Sequence, residues 1–255
     1  MLKYTINILF IFVSVFALAQ EQDSIVTSTG EVYRQKYGLR VGVDLSKPLR
    51  SFLDDDYKGL ELVGDFRISQ NLYVAAELGT EDKITREDYF TFQTQGSYLK
   101  AGIDWNTYEN WYGMSNIINL GARFGVSTFS QDLQEYQIYS ENQYWNETGS
   151  GLRGEQFLGE YSGLSAQWIE FVLGMKVELF NNLFLGGSVR LNYLINDVSP
   201  NELDNLYIPG FNKVTDGSKI GVGYNYTLSY LIPIFKTNKP APKKEESEEV
   251  PARKN

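Results

Sequence analysis

Apolar and polar residues alternate with a period of two along eight stretches of this chain, and charges sit among the polar partners. In residues 37–45, Tyr37, Leu39, Val41, Val43 and Leu45 share one face, while Gly38, Arg40, Gly42 and Asp44 share the other. A strand sends successive side chains to opposite faces, so each stretch predicts a strand with one apolar and one polar neighbour. A strand with core on both sides would not carry Arg40 and Asp44. A freely solvated polar side would have no use for the small glycines between them. An apolar outside around a crowded polar inside is the pattern of a transmembrane β-barrel.

The same alternation predicts strands at residues 59–68, 72–79, 94–105, 117–128, 168–180, 183–195 and 219–232. Leu60, Leu78, Leu99, Phe124, Leu173, Leu191 and Tyr226 are examples of the outward set. The inward set carries Glu61, Asp65, Arg67, Glu77, Lys100, Asp104, Arg123, Glu170, Lys176, Glu178 and Arg190. Most of these strands match the roughly 9–11 residues that a tilted strand needs to cross a bilayer. Short or moderate connections at 69–71, 106–115 and 181–182 alternate with long ones at 46–58, 80–93, 129–167 and 196–218. Outer-membrane barrels place long loops at the cell surface and short turns in the periplasm. The expected fold is therefore all-β: an eight-stranded antiparallel transmembrane barrel over residues 37–235 with long extracellular loops.

The start of the chain reads as a cleaved export signal at residues 1–19. Lys3 provides the positive end, residues 8–18 the short apolar run, and Ala17, Leu18 and Ala19 the cleavage site. Residues 20–36 are expected to be a periplasmic lead-in, and residues 236–255, rich in Lys, Glu and Pro, a disordered periplasmic tail. The expected location is the outer membrane of a Gram-negative cell, in contact with its lipid. Without Lys3 the chain has 22 basic residues, one fewer than its 23 Lys and Arg, against 32 acidic ones. That balance argues against nucleic acid as a partner.

Inside the barrel six positive residues, Arg40, Arg67, Lys100, Arg123, Lys176 and Arg190, face seven negative ones: Asp44, Glu61, Asp65, Glu77, Asp104, Glu170 and Glu178. An eight-stranded barrel is just wide enough for its side chains, so these charges have little water and must pair. An ion-pair network that fills the lumen is expected, and a conducting pore is not. The chain contains no His and no Cys. A nucleophile or water would then lack its usual proton acceptor, so no enzyme activity and no cofactor or metal are expected. Asp54, Asp55 and Asp56 lack the ligand spacing of a dedicated calcium loop and read as an acidic turn.

Function is then left to the loops. The loop at 129–167 combines Tyr136, Tyr139, Tyr144, Trp145, Phe157 and Tyr161 with a run of acids, and the loop at 196–218 adds Tyr207 and Phe211. Tyr and Trp are favoured where a surface binds a partner, so these residues form a candidate surface for another envelope protein. The same aromatics can instead pack the loops into a cap. An adhesin or ligand-binding barrel uses the same surface for an external target.

The export signal, the eight amphipathic strands and the closing residues 226–235, which end on Phe235, resemble the small outer-membrane barrels of the Bacteroidota. Within that group the chain resembles a family with members that are accessory subunits of the outer-membrane barrel-assembly complex. The resemblance implies a structural, protein-binding role beside that machinery. It departs from the pattern in the tail that follows the closing strand.

Overall fold

The computed structural model describes residues 34–108, 115–136, 157–199, 204–213 and 218–238. In chain order the elements are β1 (Arg34–Asp44), α1 (Ser46–Leu53), β2 (Tyr57–Arg67), β3 (Leu72–Arg86) and β4 (Phe90–Asn106). They continue as β5 (Ile117–Tyr136), β6 (Gly159–Phe180), β7 (Leu183–Val198), β8 (Tyr207–Ile208), β9 (Asn212–Lys213) and β10 (Ile220–Asn238). Eight strands close into an antiparallel barrel in the order β1, β10, β7, β6, β5, β4, β3, β2, and β8 and β9 form a separate two-stranded hairpin. The number of barrel strands and their antiparallel order are those that the alternation predicts. The export signal and the tail beyond Asn238 lie outside the described residues.

The two faces differ as the alternation demands. Leu62, Leu78, Leu99, Phe124, Phe171, Leu191 and Tyr226 are exposed on the outside. Arg40, Glu61, Glu77, Lys100, Asp104, Arg123, Glu170 and Arg190 are buried on the inside. The apolar outer band ends along a line of register partners across β3 to β5: Leu78 pairs with Leu99 and Leu99 with Val126. The next outward row, Thr80, Ser97, Thr128 and Ser165, is made of hydroxyl residues in register.

Three of the expected loops are corrected by the structure. Residues 80–93 are not a loop, because β3 and β4 continue past the hydroxyl row and turn only at residues 87–89. Likewise β5 runs on to Tyr136 and β6 starts at Gly159, inside the expected loop at 129–167. In these extensions the inward phase persists, with Glu81, Phe92 and Gln131 buried, while the outward phase becomes polar. The expected loop at 46–58 contains α1, in which Leu49, Phe52 and Leu53 form one exposed stripe and Lys47 turns back into the barrel mouth. At the other end β1 begins at Arg34 and β10 reaches Asn238, so strand pairing extends into both expected flanking segments.

Candidate functional site: a filled and plugged lumen

The interior is built in layers along the barrel. Near the short-turn mouth, the Arg40 guanidinium lies 4.5 Å from the Phe184 ring centroid and Arg67 lies 4.6 Å from that of Tyr37. Arg40 also pairs with Asp65 at 3.1 Å, and Lys176 reaches the same carboxylate at 2.5 Å. The next layer centres on Glu77. Arg190 and Arg123 (3.4 Å) both bind Glu77, Arg123 also pairs with Asp104 at 2.8 Å, and Arg190 with Glu170 at 3.1 Å. Lys100 completes this layer at 3.0 Å from Glu170 and 3.9 Å from Glu61.

Strand register explains why these side chains meet. Glu77 stands opposite Lys100, and Arg123 opposite Glu170, so charges of opposite sign face each other across neighbouring strands. Other links cross the lumen from more distant strands, as from Arg190 on β7 to Glu77 on β3. Space for these long side chains comes from inward glycines. A Cβ at Gly121 would collide with the Asp104 carboxylate, and one at Gly125 with the Trp168 ring. Cavities of about 40 Å³ at the waist and about 30 Å³ near the short-turn mouth are the size of a few waters.

Three of the expected network residues are placed differently. Asp44 is fully buried but accepts hydrogen bonds from Asn225 Nδ2 (2.6 Å), Ser46 Oγ (2.7 Å) and the Tyr226 N–H (3.1 Å). Arg67 donates to the main-chain carbonyls of Ser69 and Gln70, closing the turn between β2 and β3. Glu178 accepts from the Asn182 N–H at 2.9 Å, in the turn between β6 and β7. Arg67 and Glu178 lie one strand end away from the central layer, so local turn groups satisfy them. The other ten expected residues lie inside, but Asn225, Tyr98 and Trp168 were missed as their partners. Asn225 bridges Asp44 and Glu61, Tyr98 donates to Glu61 at 2.5 Å, and Trp168 donates to Glu170 at 2.7 Å.

At the long-loop mouth the barrel is plugged by its own chain. The β8–β9 hairpin enters the mouth, and Ile208 and Phe211 are fully buried with Tyr98, Phe129, Leu164, Trp168 and Leu194. Tyr207 packs beside them on Phe92 and Leu133. Gly210, at φ +81°, lies on the Tyr98 ring with no room for a Cβ, and Gly79 presses the same ring. Tyr207 and Phe211 are thus not part of an exposed partner surface. Their rings are drawn inward because the mouth offers them apolar cover that solvent does not.

Four groups hold this plug on one carboxylate. Glu81 accepts from Lys47, from the hydroxyls of Tyr57 (2.9 Å) and Tyr207 (2.7 Å), and from the Gly210 N–H (3.0 Å). Burial alone would raise the Glu81 carboxyl, but the Lys47 ammonium and these hydrogen bonds hold it down at about 2. Burial and the Glu81 charge together push the Tyr57 and Tyr207 hydroxyls above the usual tyrosine range. Extending the β3 alternation by one step past Gly79 would have revealed Glu81; Lys47, in an expected loop, had no such signal.

The remaining loop aromatics are divided. Tyr136 and Phe157 meet edge to face at 5.5 Å, and with Tyr161 they are partly buried against the Phe92, Leu133 and Tyr207 cluster. Tyr139, Tyr144 and Trp145 lie outside the described residues. Asp56 pairs with Arg86, and Asp54 lies 3.8 Å from Arg50. Among the described residues no group of three or more acidic side chains is placed to hold a metal ion.

Two outcomes follow from this geometry. Replacing Glu77 with Ala leaves Arg123, Arg190 and Lys100 without a shared counter-charge, and should cost about 3–5 kcal/mol of folding stability. Urea unfolding in detergent micelles measures it, and a change within error would mean that the network is dispensable. The plug should be sensitive to acid. The ordinary Glu81 value is 4.5 and the folded one about 2, so its contribution is complete above the first and lost as pH falls toward the second. Fluorescence of Trp168, with the other tryptophans replaced by Phe, should report the plug leaving in that window. Glu81→Gln should abolish the transition, and release well above pH 4.5 would contradict the assignment.

No curated protein matches the chain in sequence. The solved structure of Ail, the attachment invasion locus protein of Yersinia pestis, is similar over 77% of this chain and 97% of that one. The identity is 7% and the TM-score 0.38, a likeness too loose to bear on function. A family model described as a domain of unknown function, DUF6048, matches residues 1–237, and the chain belongs to that family.

Proposed function

We propose that this chain is a non-enzymatic outer-membrane barrel that acts through its surfaces, as an accessory protein-binding subunit of the cell envelope. The observation that carries this reading is the combination of an apolar outer band with an interior consumed by ion pairs and closed by the β8–β9 plug. Lipid contact for the outer band and export by a cleaved signal at residues 1–19 belong to the same reading. With the lumen occupied, binding falls to the long-loop end and to the outer wall. The barrel-assembly machinery is the partner that the resemblance to small Bacteroidota barrels implies.

A second reading, an adhesin or ligand-binding barrel, is favoured by the projecting strands of the long-loop end. There β5 and β6, with 20 and 22 residues, are the longest in the molecule's described part. Both readings use the end that carries Tyr136, Phe157 and Tyr161.

Purification from native membranes in mild detergent, followed by mass spectrometry, separates them. Co-migration with barrel-assembly components, and loss of other barrels from the membrane on deletion, is the expected result. A chain that migrates alone, and whose loss leaves other barrels normal, would contradict the accessory role. Planar bilayer recordings should show negligible conductance, and steady open channels of porin size would contradict a filled lumen.

A further inference from the structure

The barrel wall has a notch where β10 rises past the end of β1. β1 stops at Asp44 and the chain turns into α1 at Ser46, whereas β10 continues upward to Ile220, paired on its other edge with β7. The Leu45 N–H donates to the Tyr226 carbonyl at 2.6 Å, and the Tyr226 N–H donates to Asp44, so the main-chain groups of Tyr226 face β1. Main-chain groups alternate sides along an antiparallel strand. Those of Tyr224 and Val222 therefore point the same way, where β1 no longer provides a strand.

A cavity of about 260 Å³ lies between α1 and this free edge. Lys47, Arg50, Lys83, Lys100 and Arg190 all contribute to its wall, and no Asp or Glu does. Glu81, Glu77, Glu170 and Asp54, which bind four of these cations, do not reach the wall, and Lys83 rests over the Tyr207 ring. Arg190 Nε is buried with no hydrogen-bond partner among the described residues. Cations on a cavity wall beside free main-chain N–H groups make a site for a compact oxyanion.

The surroundings indicate where that anion comes from. Ile220, Val222 and Tyr224 face outward beside Tyr193, Leu191 and Val189 of β7, whose apolar outward run ends at Ile195. On the β1 side the apolar outward run ends at Leu45, so the notch opens above it, at the upper rim of the apolar band there. α1 also exposes Leu49, Phe52 and Leu53, with Phe52 (87% exposed) lying toward Gly59 and Leu60 of β2 rather than on the cavity wall, the kind of stripe that settles into a lipid interface. Resting on the membrane reading above, we propose that the notch is a lateral binding site for the phosphate of an outer-leaflet lipid, with its acyl chains outside the wall. Addition of a partner's strand is the poorer fit, because the free edge offers only Val222 and Tyr224 for pairing.

The test uses the full chain in nanodiscs of phosphatidylcholine doped with phosphatidic acid, with retained lipid read by native mass spectrometry. The wild type should retain phosphatidic acid over phosphatidylcholine by about tenfold, the scale of one charge-assisted contact set. Arg50→Gln combined with Lys83→Gln should remove the preference, while Lys58→Gln, at an exposed cation outside the notch, should keep it. Val222→Pro deletes one notch-facing N–H without touching the β7 ladder, and should weaken retention in a barrel that still forms.

Equal retention of the two lipids, or an equal loss in Lys58→Gln, would overturn the proposal. Displacement of the lipid by inorganic phosphate alone would assign the cavity to a free anion and overturn the lipid source. Failure of the Val222→Pro barrel to form would show that the edge is paired. A chain that does not enter nanodiscs overturns the membrane reading and this site with it, whereas one that enters without discriminating overturns only the site.

Discussion

A buried charge must find its opposite, and in this molecule that requirement governs everything else. Around Glu77 the lumen leaves space for only a few waters, so Arg123, Arg190 and Lys100 are tolerable there only because Glu77, Asp104 and Glu170 stand among them. Strand register brings Glu77 to Lys100 and Arg123 to Glu170, and inward glycines such as Gly121 and Gly125 leave room for the side chains to converge. A slip of one residue in any strand would put a charge on the apolar exterior and a leucine in the network. The network thus fixes the register as much as the register builds the network.

The long-loop end follows the same logic with different materials. There the strands outlast the apolar band, and the interior changes from ion pairs to rings: Tyr98, Trp168 and the plug residues Ile208 and Phe211. One carboxylate, Glu81, remains at this level and gathers α1, β2 and the plug through Lys47, Tyr57, Tyr207 and Gly210. Two stretches far apart in sequence, residues 47–57 and 207–210, therefore meet on a single group. The plug is coupled to the barrel wall rather than resting on it.

Much of this was legible in the sequence, and the failures have identifiable causes. The alternation located all eight strands because hydrophobic period two survives wherever the outer face is apolar. It ended too early in β3 to β6, since the outer face turns polar from Thr80, Ser97, Thr128 and Ser165 onward while the inner phase runs on to Glu81, Phe92 and Gln131. Charges on mid-strand positions were placed in the lumen from phase alone, but phase could not tell that Arg67 and Glu178 sit beside turns that satisfy them locally. The sequence leaves Tyr207 and Phe211 between a partner surface and a cap because a pair of two-residue strands has no periodicity to detect, and burial there is decided by the mouth of a barrel made elsewhere in the chain.

The separation of an apolar outside from a neutralised, water-poor inside can be measured residue by residue. The chain has no cysteine, so single cysteines carrying a nitroxide can be introduced at the outward positions of β5 from Ile118 to Val126 and at the inward Asn119 and Ser127, and reconstituted in bilayers. Spin relaxation by oxygen, which concentrates in lipid, and by a water-soluble nickel complex then reports the surroundings of each site. High oxygen accessibility at the even positions, with low accessibility to both reagents at the odd ones, is the predicted result. Nickel accessibility at Asn119 or Ser127 would reveal a water-filled channel, and nickel accessibility on both faces would rule out the bilayer altogether.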